Sequence, residues 1–416
     1  MDNGAATRRL RVILGPLRPR PPSTPVPSRA VAADAPLSAH IDEQLGGLDA
    51  QTSCWAEHLP TGRTVAIRER RPMNALSTIK IPILVLAFRD AEAGRIDLEH
   101  RHELRAGDFR RGSGVLQRFA PGLAPTYRDL LTQMIATSDN TATDLMLAAV
   151  GGTTRLNSCM AELGFGASKM HMSVPLHPVP FPWRKLPADP CALTGRPTGE
   201  LFRRLWVAVD PTWAQRSDAE VFDAGLPGPD ELPPERRLAF EGERSEWLSE
   251  TTAEDIGRLL KGIWEGAVAS RGSCDEMLGE LRGTCRQGER RGPAPIPGLL
   301  AESAQQIAGR SGLALTGVVS AGMLRAQMYN YRLTRRLTSA AGGSVEAAHK
   351  TGDFPPFAAN DVALLEHAGG PSVVSVFTNQ NRGDYWALEE VLGEVGEAVV
   401  GAWAEGQAPR WGLAKQ

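Results

Sequence analysis

Segments with the alternating pattern of β-strands lie at both ends of this chain, and helix-forming segments fill the middle. Residues 53–70 contain two short strand patterns joined at Pro60-Thr61-Gly62. Residues 344–379 contain three more, with Gly369-Gly370-Pro371 as a hairpin turn, and a helix follows from about Tyr385 to Ala404. Strands so far apart can share a sheet only if the chain closes on itself. The sequence therefore predicts an α+β fold (an α/β sandwich): an antiparallel sheet built from both chain ends, flanked by terminal helices, with an inserted all-helical domain.

The subdomains follow from this order. We expect a disordered Pro- and Arg-rich tail at 1–36, an α/β sheet subdomain formed by 37–84 and 329–408, and a helical subdomain at 85–328. Within the helical part, about 174–248 and 286–328 are interpreted as insertions, because they are rich in proline or other helix breakers. After the tail, the pattern "SAHIDEQLGGL" predicts a helix capped at Ser38.

Charge and hydropathy narrow the class of partner. The formal net charge of −2 gives no general attraction to nucleic acid or to anionic lipid, so a small molecule is the favoured partner. The longest apolar run, residues 312–324, is too short to span a bilayer and is predicted to be a core helix. The five cysteines form no CxxC pair and no metal-ligand cluster, so neither a metal nor another cofactor is expected. The oligomeric state is left open.

The amino terminus allows two interpretations. It contains a twin arginine at Arg8-Arg9 and an alanine-rich stretch that resembles a cleavage site. Its apolar segment, "VILGPL", is shorter than the 7 to 15 residues of an export signal and is followed by more arginines. A cytoplasmic protein with a disordered tail is favoured, and export through an atypical twin-arginine signal is the alternative.

Lysine is scarce in this chain, which draws attention to the lysines that occur. Of the 46 basic residues, only six are lysines and forty are arginines. An amine can lose its proton near neutral pH when it is buried, whereas a guanidinium cannot. Lys80 and Lys350 are therefore candidates for a chemical role.

Ser77 and Lys80 lie one helical turn apart at the start of the apolar run "NALSTIKIPILVLAF". The i, i+3 spacing places both side chains on one helix face. A serine hydroxyl is a weak nucleophile that needs a neighbouring base, and a lysine with a lowered pKa can supply one. A first-turn backbone N–H also has no partner within the helix and can stabilise an oxyanion. The alternative is a capping serine with a solvent-exposed lysine.

Three short motifs occur in order along the chain: Ser77-Thr78-Ile79-Lys80, Ser138-Asp139-Asn140 and Lys350-Thr351-Gly352. SxxK, SDN and KTG together are the signature of class A β-lactamases and penicillin-binding proteins. The stretches "GSGVLQRF", "SDNTATDLML" and "HKTGD" followed by "NDVALL" also resemble class A β-lactamase-like serine hydrolases. The resemblance covers about 37–173, 249–285 and 329–404.

The resemblance implies a role for each residue of the first two motifs. Ser77 would be the nucleophile and Lys80 the base that activates it. Ser138 would relay a proton to the leaving group. Asn140 would hydrogen-bond the amide carbonyl of the substrate and the lysine amine, while Asp139 would shape the loop.

It also implies roles for the third motif and the residue after it. Lys350 would project from an edge strand and, with the Thr351 hydroxyl, favour a substrate that bears a carboxylate. Gly352 would permit a close approach of backbone, and the N–H of Asp353 would complete the oxyanion hole.

The chain departs from the family at the residue that hydrolyses the acyl-enzyme. Class A β-lactamases carry a glutamate about 36 residues beyond the SDN serine, which here falls near Val174, yet no glutamate occurs between Glu162 and Glu200. A histidine of the substitute stretch, or a carboxylate returning after the first insertion, is a possible replacement. The candidates are His171, His177, Glu241, Glu243, Glu246 and Glu250.

Three functions remain open at this stage. The first is a serine hydrolase that opens a β-lactam or a related cyclic amide or ester through an acyl-enzyme. The second is an esterase, amidase or acyltransferase of secondary metabolism that uses the same serine and lysine. The third is a binding or sensor protein that is acylated by β-lactams and turns them over little.

Overall fold

The computed structural model describes residues 32–110, 112–171, 207, 210–217, 220, 248–279, 323–325, 327–337, 345–355 and 357–404. Within these ranges, strands from both chain ends form one six-stranded sheet. The strands are β1 Ala32–Ala33, β2 Gln51–His58, β3 Arg63–Ile67, β7 Glu346–Phe354, β8 Ala358–His367 and β9 Gly370–Asn379. Their order across the sheet is β1-β3-β2-β9-β8-β7. The antiparallel pairing of β2 with β9 joins the two ends of the chain, as the sequence predicts.

Terminal helices cover one face of this sheet. Helix α1, Ala35–Gly46, and helix α8, Tyr385–Ala404, pack together over the apolar side chains of the strands. Helix α1 begins earlier than predicted. Its cap is Asp34, whose carboxylate accepts from the N–H of Leu37, and not Ser38. Pro36 fits there because the first helical turn does not need its N–H.

The other face of the sheet packs against the helical domain. Helix α2, Lys80–Glu92, lies in the middle of that domain, and every residue of it from Lys80 to Phe88 is buried. A helix buried on all sides needs apolar residues around its whole circumference, which explains why this segment lacks a polar stripe. The surrounding helices are α3 Tyr127–Ala136, α4 Asn140–Ala149, α5 Gly152–Glu162, α6 Ala253–Glu265 and α7 Arg271–Leu278.

A small three-stranded sheet links the two parts. It consists of β4 Met73–Asn74, β5 Lys169–Met170 and β6 Ser249–Thr251, with β6 in the middle. Met170 and Ser249 are directly paired across β5 and β6. The first predicted insertion therefore begins after β5 and ends before β6, so its two ends lie side by side on paired strands. β6 also pairs with β4, the strand that leads into Ser77.

Several expectations concern residues outside the described ranges. The tail at 1–31, most of both insertions and the predicted core helix at 312–322 lie there, and the subdomain boundaries stay a prediction. Cys54, Cys159 and Cys274 are buried free thiols. In the described part of the chain, no helix is long and apolar enough to cross a membrane, and no group of three or more metal-binding side chains occurs.

Candidate active site

Ser77 lies in a short 3₁₀ turn, Leu76–Ile79, between β4 and α2. The sequence places Ser77 in the first turn of the helix itself, whereas the α-helix begins at Lys80. Leu76 has a φ of +50°, a strained backbone conformation for a branched side chain. Such strain occurs mainly where the surrounding structure fixes a functional residue. Ser77 is half-buried, and its backbone N–H lies at the start of a helical segment, where no intrahelical acceptor exists.

The amine of Lys80 is buried among acceptors of the second motif. Its Nζ donates to the carbonyl and the hydroxyl of Ser138, at 2.6 and 3.0 Å, and to Oδ1 of Asn140 at 3.0 Å. Burial lowers the pKa of Lys80 from 10.5 to about 7, although nearby Asp139 and Asp144 act in the opposite direction. At neutral pH this amine is therefore close to half deprotonated, as a general base requires.

A tight turn between α3 and α4 presents the second motif. Ser138 has a φ of +54°, and Asp139 caps α4 by accepting from the N–H of Ala142 at 2.9 Å. Asp139 also accepts from the N–H of Leu116 at 2.8 Å, which ties the preceding loop to the turn. Ser113 of that loop donates to the Ser138 carbonyl at 2.7 Å. Ser113 was not predicted as a site residue, although it belongs to the "GSGVLQRF" stretch that carries the resemblance.

The third motif lies on β7, the edge strand of the large sheet. Lys350 is fully buried, and its Nζ donates to the carbonyl of Thr351 at 2.9 Å. Burial, followed by the nearby charge of Lys80, holds the pKa of Lys350 well below its ordinary value. The Thr351 hydroxyl is buried and has no hydrogen-bond partner among the described residues. An unpaired buried hydroxyl is costly, and such a group in a native structure commonly has a functional reason.

Gly352 brings β7 against the turn that carries Ser77. A Cβ atom on Gly352 would lie 3.0 Å from Cβ of Leu76 and 3.2 Å from the backbone nitrogen of Ser77. A side chain at this position would therefore push the Ser77 turn away by a few tenths of an ångström. Asn360 of β8 fixes the same arrangement from behind, because its Nδ2 donates to the carbonyls of Asn74 and Ala75. Asn360 begins the "NDVALL" stretch, but nothing in the sequence indicates its partners.

The peptide unit between Gly352 and Asp353 has a defined orientation. The Gly352 carbonyl accepts from Nη1 of Arg332 at 3.2 Å, and the same Nη1 donates to the carbonyl of Asn360 on β8. Because C=O and N–H of a trans peptide point in opposite directions, the N–H of Asp353 points away from β8, toward the free edge of the strand. Backbone N–H groups of Ser77 and Asp353 can therefore serve as the two donors of an oxyanion hole.

Two of the candidate bases for hydrolysis lie together. His171 follows β5 and Glu250 lies in β6, with Nε2 and Oε1 3.8 Å apart. Glu250 is also the strand partner of Asn74, three residues before Ser77. The remaining candidates, His177, Glu241, Glu243 and Glu246, are outside the described residues.

Comparison with known proteins identifies the family and the fold. A sequence model described as the "Beta-lactamase enzyme family" matches residues 36–290 and 319–403. The chain belongs to this family. Within the β-lactamase family, it has the α+β fold of the class A enzymes.

Individual relatives are distant. β-Lactamase L2 of Stenotrophomonas maltophilia is 30% identical over 109 residues, which is 26% of this chain and 36% of that protein. The match therefore spans about a third of that relative. A β-lactamase from Sphaerobacter thermophilus shares 23% identity at a TM-score of 0.56, with 90% of this chain and 98% of that one covered. A point mutant of PBP-A, solved as an acyl-enzyme complex with penicillin G, shares 17% identity at a TM-score of 0.57, over 90% and 98% of the two chains. Both structures support the fold alone.

Proposed function

We propose that Ser77 is acylated by a β-lactam or a related cyclic amide or ester, with Lys80 as the base that activates it. The observation that carries this proposal is the convergence of the three motifs. The buried amine of Lys80 contacts Ser138 and Asn140, while Gly352 of the third motif lies against the backbone nitrogen of Ser77. Three short motifs that matched by chance would not be expected to lie together around one buried lysine with a lowered pKa.

In the acylation step, the unprotonated Lys80 amine accepts the proton of the Ser77 hydroxyl as Oγ bonds to the substrate carbonyl carbon. The carbonyl oxygen becomes an oxyanion, which the N–H groups of Ser77 and Asp353 stabilise. Among the described residues, no hydrogen bond joins Ser77 to Lys80, and contacts of a general base commonly tighten only when substrate is bound.

Collapse of the intermediate breaks the bond to the leaving nitrogen or oxygen. In our proposal, Ser138 donates its hydroxyl proton to that atom and recovers a proton from Lys80, to which it is hydrogen-bonded at 3.0 Å. Asn140, through its amide group, orients both the lysine and the substrate. The unpaired hydroxyl of Thr351 supplies one further contact to the bound molecule.

Hydrolysis of the acyl-enzyme is the slow step in this scheme. The region where relatives carry the deacylating glutamate contains none between Glu162 and Glu200. This absence favours a second candidate function, a protein that β-lactams acylate and that releases the product slowly. An esterase or amidase would use the same acylation chemistry on a different acyl donor, and an acyltransferase would pass the acyl group to a nucleophile other than water.

Covalent labelling tests the proposal. Intact-protein mass spectrometry after incubation with penicillin G, its methyl ester and a chromogenic cephalosporin should show an adduct on the wild type and none on Ser77→Ala. Ser273→Ala, at an accessible position in the first turn of α7, is the matched control and should label normally. A persistent adduct would indicate the binding or sensor function, and steady turnover would indicate a β-lactamase. Labelling that survives Ser77→Ala would refute the assignment.

A further inference from the structure

The edge strand β7 carries a carboxylate of its own beside the site. Asp353 follows the Lys-Thr-Gly motif directly, and 30% of its side chain is exposed. Its Oδ1 accepts from Nη2 of Arg332. A carboxylate of the protein is thus paired with the guanidinium of Arg332 at this end of the strand.

The guanidinium of Arg332 is already paired with carboxylates of the protein. Its side chain is fully buried, and besides Asp353 its Nη2 contacts Glu389 of α8 at 3.2 Å and the hydroxyl of Tyr385 at 3.0 Å. One guanidinium is therefore shared between two carboxylates. Because Arg332 itself is buried, loss of Asp353 would leave Glu389 as the one carboxylate paired with it among the described residues.

Lys80 and Lys350 offset little of the negative charge of Asp353 and Glu389. The buried amine of Lys80 has a pKa of about 7, and the pKa of Lys350 is held well below its ordinary value. Burial makes both amines lose charge more readily than an exposed lysine does. At the end of β7, one guanidinium is therefore paired with two carboxylates, those of Asp353 and Glu389.

We infer that this site selects acyl substrates without a carboxylate next to the scissile bond, namely neutral or cationic esters and cyclic amides, because Asp353 places a partly exposed carboxylate of the protein directly after the Lys-Thr-Gly motif, where it would repel a second one. The Thr351 hydroxyl can donate to a neutral carbonyl as well as to a carboxylate. The inference rests on the proposed acylation of Ser77, and it departs from the carboxylate-bearing substrate that the resemblance implies.

A matched pair of substrates tests the inference. Penicillin G and its methyl ester share the reactive ring and differ in the charge of one group. The rate constant of adduct formation, followed by intact-protein mass spectrometry at constant ionic strength, should be at least about tenfold higher for the methyl ester on the wild type. Asp353→Asn, which removes the carboxylate beside the site, should reduce the ratio of ester to acid severalfold or reverse it.

Two further variants test whether the charge at position 353 itself causes the selectivity. Asp353→Ser removes the same charge with a smaller side chain and should act in the same direction, even if Asp353→Asn folds poorly. Glu390→Gln removes an equal charge one residue away from Glu389, where the carboxylate is 41% exposed and pairs with Arg335 and Arg336. This control should leave the ratio unchanged.

These experiments distinguish failure of the selectivity inference from failure of the acylation proposal. Faster labelling of the wild type by the free acid, or an equal ratio in Asp353→Asn and the wild type, would overturn the selectivity while leaving Ser77 acylation intact. If neither penicillin labels the protein, p-nitrophenyl butyrate and p-nitrophenyl hydrogen succinate put the same question to esters. Absence of any activity that depends on Ser77 toward all four compounds would refute the acylation proposal itself, and the selectivity with it.

Discussion

The acylation rate should depend on pH through the amine of Lys80. Burial places the pKa of Lys80 at about 7, and only the unprotonated amine can accept the proton of Ser77. The rate should therefore rise with pH and level off above about pH 8. A single group with a pKa of about 7 is about 9% unprotonated at about pH 6 and about 91% at about pH 8, so the expected increase is about tenfold.

The measurement is the rate constant of adduct formation between about pH 5.5 and about pH 9, at constant ionic strength. A methyl ester of a penicillin is a suitable probe, because it has no carboxylate that titrates. Lys80→Met should lose both the rate and the inflection, because its side chain has no proton acceptor. Lys80→Arg should behave in the same way, since a guanidinium stays protonated over this range.

Two results would refute the reasoning. One is a flat or falling profile across neutral pH, which would mean that Lys80 does not act as a base. The other is a Lys80→Met variant that keeps the inflection, which would place the titrating group elsewhere. Circular dichroism of each variant across the same pH range distinguishes a loss of catalysis from a loss of fold.

Three further outcomes follow from the described contacts. Asn140→Ala removes the amide that holds the Lys80 amine at 3.0 Å and that is proposed to orient the substrate, and this loss of positioning should slow adduct formation about 10- to 100-fold. Gly352→Ala puts a Cβ 3.0 to 3.2 Å from the Ser77 turn, so adduct formation should fall at least about tenfold while the thermal midpoint, measured by calorimetry, changes little. Burial and nearby His58 lower the pKa of His367 from 6.5 to about 4. The unfolded chain therefore takes up this proton first as pH falls, so the free energy of unfolding in urea should drop by about 2 kcal/mol between about pH 7 and about pH 4.5, and His367→Gln should lose that part of the pH dependence.

Much of the fold could be predicted because its signals are local. Period-two patterns and glycine-containing turns depend on residues within a few positions of one another; the three strands near the carboxyl end occur as predicted, although the turn is at Ala368-Gly369 and the predicted turn residues Gly370 and Pro371 already belong to β9. The start of α1 was wrong, since Asp34 and Ser38 are equally good caps in sequence and packing decides between them.

The candidate site was predicted less completely, because its supporting contacts join distant parts of the chain. Asn360 hydrogen-bonds the backbone at Asn74 across 286 residues, and no spacing rule indicates such a pair. Arg332 is one of forty arginines in the chain. Its importance follows only from its contacts with Gly352 and Asp353, which depend on how β7, β8 and α8 pack.

The reactivity of Lys80 and a cost to stability have the same origin. The pKa of Lys80 is lowered from 10.5 to about 7. At about 1.36 kcal/mol per pKa unit, protonated Lys80 therefore destabilises the folded state by about 5 kcal/mol below about pH 7. An apolar helix buried from Lys80 to Phe88 can offset such a cost, because each fully buried aliphatic side chain contributes about 1.5 to 3 kcal/mol. An arginine at this position would impose the desolvation without ever yielding a base. A chain that uses arginine for forty of its 46 basic residues therefore has a physical reason to keep lysine here.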